Sequence, residues 1–253
     1  MRLLARSVNA AFGASRWAVC YSAVSERVAR DVAPIAGTRS ITILPNGIDA
    51  AFWRVDAPPP RNDTLRLISV MRLNPKKRPL ALVDVVRRAS ALLPNRRVHL
   101  RIIGDGPQRE RLERAISANG LSDRITLVGR QSRDEIKRHL AESDLFVLPT
   151  VRESFGLAAL EARCAGLPVL AMRASGVSEL IADGREGLLA RSDAELAEHV
   201  AALGRDEPRR AAIAEHNRRT TPVVDWPAVV DAHLALYRDA IALRDIVCTD
   251  IIR

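Results

Sequence analysis

The chain has 253 residues, 47% of them hydrophobic and 27% charged, with a formal net charge of +9, which is enough for one large or two small folded domains and argues against extensive disorder. The positive charge is compatible with nucleic acid, an anionic membrane or anionic small substrates, or it reflects an arginine-rich coding bias. The three cysteines are dispersed, so we expect no disulfide framework and no zinc site, and we predict that the protein is located in the reducing cytoplasm. No apolar run reaches the roughly 18 residues of a membrane span.

The first 55 residues are predicted to form a partial α/β segment. Two helices and two strands alternate there, at 3–16, 17–21, 26–32 and 38–44. The first helix has an apolar face flanked by arginines, so it either packs on a sheet or lies on an anionic membrane surface. One such unit is too short for an independent doubly wound domain, which needs about 100 residues or more.

The proline-rich stretch 56–64 is predicted to be a stiff linker, and a regular alternation of strands and helices follows it over 65–222. The strands are expected at 65–71, 98–103, 125–128, 145–148, 169–172 and 187–190. Among the helices between them, one is expected over 78–93, and another is expected over 133–143 after a capping box of Ser132 and Glu135. This alternation predicts an α/β fold with a doubly wound, Rossmann-like parallel sheet. Residues 223–253 are expected to contain a long final helix.

Glycines and charged residues follow the predicted strands at their carboxyl ends, where open parallel sheets bind ligands. Arg72 and Lys77 follow the first strand and offer cations to a diphosphate. Gly104 and Gly106 follow the second strand and would leave room for a base or ribose. The opposite ends of the strands have no comparable cluster. Taken singly, these motifs are also typical of solvated surfaces and turns, and only their joint placement favours a ligand site.

The segment 145–168 joins a buried strand, a short loop and a helix that is expected to begin at Phe155. The first N–H groups of that helix suit a phosphate, and Gly156 permits its close approach. Glu153 lies in the loop, where it could touch a sugar. Glu161 lies about two turns along the helix and could accept two hydrogen bonds from a ribose diol. The segment therefore predicts a nucleotide-sugar site.

The stretch ESFGLAALEA, in which seven residues separate Glu153 from Glu161, resembles the E-x7-E motif of the retaining GT-B glycosyltransferases of family 4, often described as glycosyl transferases group 1. Five further stretches resemble the same family: CYSAVSERVARDV, ILPNGID, VMRLNPKKRP, IIGDGPQRERLE and DGREGLL. The resemblance covers nearly the whole chain. It implies that residues 65–222 are the donor-binding, C-terminal half of a GT-B fold and that the final helix returns towards the N-terminal segment.

The resemblance also implies roles for individual residues. Arg72 and Lys77 would bind the donor diphosphate and stabilise the leaving nucleotide. With Glu153, which would contact the donor sugar, they form the expected catalytic set. The other expected donor contacts are Gly104, Gly106, Arg130, Gln131, Ser154, Phe155, Gly156, Leu157 and Glu161.

The family resemblance further implies the ligands of the chain. No metal or cofactor is expected, because cationic side chains take the place of a metal at the diphosphate. The expected partners are a nucleotide sugar, such as a UDP- or GDP-sugar, and a glycan or lipid-linked acceptor, without nucleic acid. Contact with an anionic membrane at its cytoplasmic face remains compatible with the basic first helix.

The chain departs from the family pattern in two respects. Met71, Arg78, Ser154 and Ser175 stand where glycine is common. Residues 1–55 also lack the glycine-rich loop, the histidine and the acceptor site of the family's N-terminal domain. We therefore expect a glycosyltransferase, with three alternatives: a fragment of a longer enzyme, a non-catalytic donor-binding module, or one part of a two-chain enzyme. A nucleotide-sugar epimerase fits the motif less well, and nucleic-acid binding is supported by net charge alone.

Overall fold

The computed structural model describes residues 20–38, 40–56 and 64–251. Contacts divide the chain into two units, one that ends at Ile48 and resumes at Val223, and one that comprises Asp49–Pro222. The helix predicted at 3–16 and most of the linker predicted at 56–64 lie outside the described residues. Membrane contact through that helix therefore stays a prediction.

The helices and strands of the described residues alternate along the chain. In order they are β1 (Tyr21–Ala23), α1 (Glu26–Ala36), β2 (Ile41–Ile43), α2 (Ala50–Trp53), β3 (Thr64–Val70), α3 (Ala81–Leu92), β4 (Arg97–Ile103), α4 (Arg109–Ala118), β5 (Ile125–Gly129), α5 (Arg133–Ala141), β6 (Leu145–Leu148), α6 (Leu157–Cys164), β7 (Val169–Met172), β8 (Gly187–Ala190), α7 (Asp193–Arg205), α8 (Glu207–Arg219) and α9 (Trp226–Ile251). Two short 3-10 turns add to these, at Pro75–Lys77 and Gly176–Glu179.

The first unit contains a small parallel sheet in which β1 pairs with β2. The side chain of Ser25 caps the connecting helix α1 by accepting a hydrogen bond from a first-turn N–H at 3.2 Å. Of the strand predicted at 17–21, residues 17–19 lie outside the described residues, and β1 pairs Tyr21 with Ile41 of β2. In the same unit, a β-bridge joins Ile48 to Asp225 just before α9.

The second unit contains a six-stranded sheet with the order β5-β4-β3-β6-β7-β8. Every pairing in it is parallel. Strands β6, β7 and β8 are buried at each residue, as expected for parallel strands covered on both faces. The predicted doubly wound α/β fold is therefore confirmed.

The direction of winding reverses between β3 and β6. From β3 the chain winds outwards through β4 to β5, and it then returns to β6 and winds the other way to β8. Because such crossovers are right-handed, the helices after β3 and β4 lie on the opposite face from the helix after β6. In sheets of this kind the crevice that binds ligands lies at this switch point, outside the carboxyl ends of β3 and β6.

Three local features differ from the sequence prediction. Helix α6 begins at Leu157 rather than at Phe155, because Gly156 before it has a left-handed backbone with φ 103°. Helix α3 begins at Ala81 rather than at residue 78, because Arg78 also has a left-handed backbone, with φ 55°. Helix α2 was not predicted, since four residues are too few to show a helical period.

Candidate functional site

Lys77 and Glu153 form an ion pair at the switch point. The Lys77 ammonium lies 2.5 Å from a carboxylate oxygen of Glu153, and the two side chains are 29% and 12% exposed. Their attraction is therefore less screened by water than that of a surface pair. Because an ammonium group has three N–H donors, Lys77 can hold Glu153 and also bind an anion in the crevice.

Hydrogen bonds also fix the backbone on both sides of this pair. The side chain of Asn74 accepts a hydrogen bond from the Lys77 N–H at 3.1 Å. The buried hydroxyl of Thr150 donates to the Lys77 carbonyl at 3.2 Å. The carbonyl of Glu153 accepts a hydrogen bond from the Gly176 N–H at 2.9 Å. The Thr150 hydroxyl thus holds the loops after β3 and β6 together in addition to the ion pair.

A cavity of about 470 Å³ lies beside the loops that follow β3, β4 and β5. Its lining residues are Arg72, Asn74, Asp105, Gly106, Pro107 and Arg130. Arg72 and Arg130 are both exposed, and neither has a carboxylate partner among the described residues. The carboxylate of Asp105 already accepts a hydrogen bond from the Gly106 N–H at 2.7 Å. The cavity therefore presents two guanidinium groups and suits an anionic ligand.

Three of these lining residues, Asn74, Asp105 and Pro107, were not among the predicted donor contacts. Asn74 caps the 3-10 turn that contains Lys77, and Asp105 forms a local turn with Gly106. Both side chains are thus engaged in loop structure. Their local sequence signals indicate turns, and only the fold shows that those turns border a cavity.

Gly104 and Gly106, predicted to leave room for a base or ribose, have backbone atoms of the loop after β3 in the direction that a side chain would take. A Cβ atom at Gly104 would lie 1.8 Å from the Met71 carbonyl oxygen, and one at Gly106 would lie 2.6 Å from the Leu73 carbonyl oxygen. The Leu73 N–H in turn donates to the carbonyl of Asp105 at 2.9 Å. These glycines therefore allow the loops after β3 and β4 to pack, and Gly106 also lines the cavity.

Gly104→Ala is expected to destabilise the protein by about 3 kcal/mol, because the new Cβ atom would overlap a backbone oxygen and the φ of +130° is strained for any side chain. Urea denaturation followed by circular dichroism measures this. Gly120→Ala is the matched control, since its φ is +64° and nothing lies within 4 Å of the new atom. Backbone strain alone should cost the control about 1 kcal/mol. Equal losses in the two variants would contradict the packing role of Gly104.

Helix α6 begins next to the loop that carries Glu153. A Cβ atom at Gly156 would come within 2.5 Å of the Val177 side chain, so a glycine is needed for packing as well as for its positive φ. The first ladder bond of the helix runs from the Ala159 N–H to the Gly156 carbonyl at 3.0 Å. The N–H groups of Leu157 and Ala158 therefore precede the ladder and can meet an anion.

Glu161 is largely buried on α6. Burial raises the pKa of its carboxyl group to about 7, although the positive charge of Arg133 opposes this shift. The Arg133 guanidinium also lies 4.5 Å from the ring centroid of Phe52, which precedes the buried Trp53 on α2. Arg133 and Phe52 were not predicted as site residues, because they come from distant parts of the chain and belong to no local motif.

Arg78 links the loop after β3 to two other elements. Its guanidinium donates to the Pro149 carbonyl at 2.8 Å and to the Asp193 carboxylate at 2.6 Å. Its left-handed backbone, with φ 55°, costs a residue with a side chain about 1 kcal/mol. Glycine, which the family resemblance leads one to expect here, would not carry this cost.

The other predicted contacts lie outside the lining of the cavity. The Gln131 side chain donates to the nearby Val128 carbonyl at 3.5 Å, Ser154 is exposed, and Phe155 is buried. Six of the predicted residues fall into three groups. Arg72, Gly106 and Arg130 line the cavity, Lys77 pairs with Glu153, and Glu161 lies on α6.

The described residues contain neither a group of potential metal ligands nor a helix that could cross a membrane. Over 20–38, 40–56 and 64–251, no three or more His, Cys, Asp or Glu side chains are grouped so that they could hold a metal ion. Within the same ranges, no helix has both the length and the apolar character needed to cross a membrane.

Comparison with known proteins gives three kinds of match. Residues 54–220 match the family model described as glycosyl transferases group 1. D-inositol 3-phosphate glycosyltransferase of Stackebrandtia nassauensis is 32% identical over 227 residues, covering 81% of this chain and 50% of that protein. Glycogen synthase of Mycobacterium tuberculosis is 33% identical over 229 residues, covering 86% of this chain and 52% of that protein. The crystal structure of Anabaena HepE in complex with UDP-glucose superposes with a TM-score of 0.70 at 25% identity, over 81% of this chain and 59% of HepE. This chain spans about half the length of the curated relatives it matches.

Proposed function

The chain belongs to the glycosyl transferases group 1 family, and we propose that it binds a nucleotide diphosphate sugar as the donor of a retaining glycosyl transfer. The observation that carries this proposal is the pairing of Lys77 with Glu153 at the switch point of the sheet. A cation for the diphosphate and a carboxylate for the sugar then lie side by side where such sheets bind ligands. Because HepE was crystallised with UDP-glucose, UDP-glucose is the first donor to test.

The proposed roles follow from charge and position. Arg72 and Lys77 bind the diphosphate and stabilise the negative charge that grows on it as the bond to the sugar breaks. Arg130 lies on the same cavity as Arg72 and adds a second guanidinium. The Leu157 N–H, which precedes the α6 ladder, donates to a phosphate or sugar oxygen. Glu153 contacts the sugar, and Glu161 accepts hydrogen bonds from the ribose hydroxyls.

We propose a glycan or lipid-linked acceptor, retention at the anomeric carbon as in family 4, and a cytoplasmic location. The resemblance in the E-x7-E segment supports the first two, and the dispersed cysteines support the third. Proton NMR of the first-formed product reports the anomeric configuration, and an inverted centre would contradict retention.

Isothermal titration of the full chain with UDP-glucose is expected to show one binding site, and excess EDTA should leave the dissociation constant unchanged. The reason is that Arg72, Lys77 and Arg130 supply the positive charge that a diphosphate requires. GDP-mannose serves as a second donor, because the base preference is not fixed by these cations. Absence of heat with both nucleotide sugars at millimolar concentration would overturn the proposal, and loss of binding in EDTA would overturn its metal-free form.

A donor-binding module without transfer activity is the second candidate, because the chain spans about half the length of its relatives. Both candidates predict donor binding, so a separate assay is needed. Incubation of the chain with UDP-[14C]glucose and a mixture of glycan and lipid acceptors measures transfer, and release of UDP without acceptor measures hydrolysis. Labelled acceptor above a Lys77→Ala control excludes the module. Donor binding with no transfer favours it.

A further inference from the structure

The side chain of Arg78 makes two hydrogen bonds to other segments of the second unit. Its guanidinium reaches the carbonyl of Pro149 at the end of β6 and the carboxylate of Asp193 at the start of α7, at 2.8 Å and 2.6 Å. The side chains of Arg78 and Asp193 are 33% and 28% exposed. Asp193 is the first residue of α7, a position where the helix dipole also favours a negative charge. Asp193 therefore anchors the Arg78 guanidinium at the start of α7.

The contact of Arg78 with Pro149 has a reciprocal partner one residue away. Thr150, which follows Pro149, donates its hydroxyl proton to the carbonyl of Lys77, which precedes Arg78. Two adjacent residues after β3 are thus bonded to two adjacent residues after β6, in opposite directions. The same β6 loop continues to Glu153, the partner of Lys77.

We propose that Arg78 is a positioning residue that holds the Lys77 ammonium in place at the donor diphosphate. Arg78 itself does not touch the donor. By attaching the residue next to Lys77 to the β6 loop, it keeps the Lys77 ammonium beside Glu153 before the donor binds. Donor binding then loses little conformational entropy, because the Lys77 side chain is already ordered. This inference rests on the proposed function, in which Lys77 binds the diphosphate.

The left-handed backbone of Arg78 makes glycine the informative substitution. Arg78→Gly removes both contacts and at the same time removes the backbone strain of φ 55°. A residue that only stabilised the loop could thus be replaced by glycine with little effect on ligand binding. A residue that positions Lys77 could not.

The test combines two measurements on the full chain. Titration with UDP-glucose is expected to give an approximately tenfold larger dissociation constant for Arg78→Gly than for the wild type, the loss of about one charge-assisted hydrogen bond. Acetylation of Lys77 by acetic anhydride, followed by mass spectrometry, should be faster in the variant without donor, because the ammonium leaves Glu153. Arg101→Ala is the matched control, since it removes an arginine ion pair of the same 2.6 Å length elsewhere in the second unit.

The outcomes separate this inference from the proposed function. If the wild type binds UDP-glucose and Arg78→Gly binds equally well with an unchanged acetylation rate, Arg78 does not position Lys77 and the proposed function stands. If the wild type binds neither UDP-glucose nor GDP-mannose, the proposed function fails, while unchanged acetylation still overturns the role of Arg78. Should Arg78→Gly fail to fold, Asp193→Asn tests the same anchor, and faster acetylation of Lys77 is again the expected result. A wild-type rate in Asp193→Asn would overturn the anchor.

Discussion

Lys77→Ala is expected to weaken the binding of UDP-glucose by at least about 100-fold, which corresponds to roughly 3 kcal/mol. Two effects add in this variant. The diphosphate loses a charged hydrogen-bond donor, and Glu153 loses the ammonium that lies 2.5 Å from it. An unpaired, mostly buried carboxylate then faces the incoming diphosphate and repels it. Isothermal titration at fixed ionic strength measures the loss.

Lys76→Ala is the matched control for this variant. Lys76 is the adjacent exposed lysine on the same 3-10 turn, so it tests whether one positive charge in this loop is sufficient. We expect its dissociation constant to stay within about threefold of the wild type, as for other exposed charges. The double variant Lys77→Ala, Glu153→Gln should recover part of the lost affinity, because the repelling carboxylate is neutralised. Equal affinity of Lys77→Ala and the wild type would remove Lys77 from the donor site.

The sheet could be predicted from the sequence because its signals are local. Strands such as β6 and β7 are continuous apolar runs ended by proline, charge or glycine, and such runs are typical of strands buried on both faces. The capping box at Ser132 and Glu135 is likewise a local pattern, and the structure confirms it. The carboxyl ends of parallel strands share one edge, so the loops that carry Lys77 and Glu153 could be placed together before their contact was known.

The details that were wrong or missing depend on contacts between distant segments. The helix predicted to begin at residue 78 begins at Ala81, because Arg78 is held in a left-handed conformation by Pro149 and Asp193. The packing of Gly104 against the backbone of Met71 was not predicted. Propensity and period describe neighbours along the chain, so they cannot show which side chain or carbonyl from another loop will occupy a space.

Glu161→Gln is expected to stabilise the ligand-free protein at pH 8 by up to about 3 kcal/mol, the energy that corresponds to the rise of the carboxyl pKa from 4.5 to about 7. The carboxyl group of Glu161 has a higher pKa in the folded protein than in the unfolded chain. Its contribution to the stability of the folded protein is therefore present below pH 4.5 and is lost as the pH rises through the folded-state pKa of about 7. Glutamine has nearly the same shape and no charge to bury. The melting temperature at pH 8 should therefore rise by roughly 5–10 °C, and at pH 5 the two proteins should melt at similar temperatures.

Glu198→Gln provides the control for a glutamate that is not buried. Glu198 is exposed on α7, so its neutralisation should leave the difference between the melting temperatures at pH 8 and pH 5 as in the wild type. Melting followed by circular dichroism at both pH values, at constant ionic strength, gives the comparison. A Glu161→Gln variant that melts no higher than the wild type at pH 8 would contradict the raised pKa of Glu161.

The same carboxyl group links donor binding to pH if Glu161 accepts hydrogen bonds from a ribose diol. The ionised form accepts at both oxygens through stronger, charge-assisted hydrogen bonds, so the wild-type affinity for UDP-glucose should rise as the pH increases from 6 to 8, through the pKa of about 7. The diphosphate of a nucleotide sugar does not titrate in this range, which assigns the dependence to the protein. Glu161→Gln should bind the donor weakly and with little change over the same range, although it is the more stable protein. A Glu161→Gln variant that is more stable and binds the donor more weakly would mean that the buried charge of Glu161 serves ligand binding and lowers the stability of the folded protein.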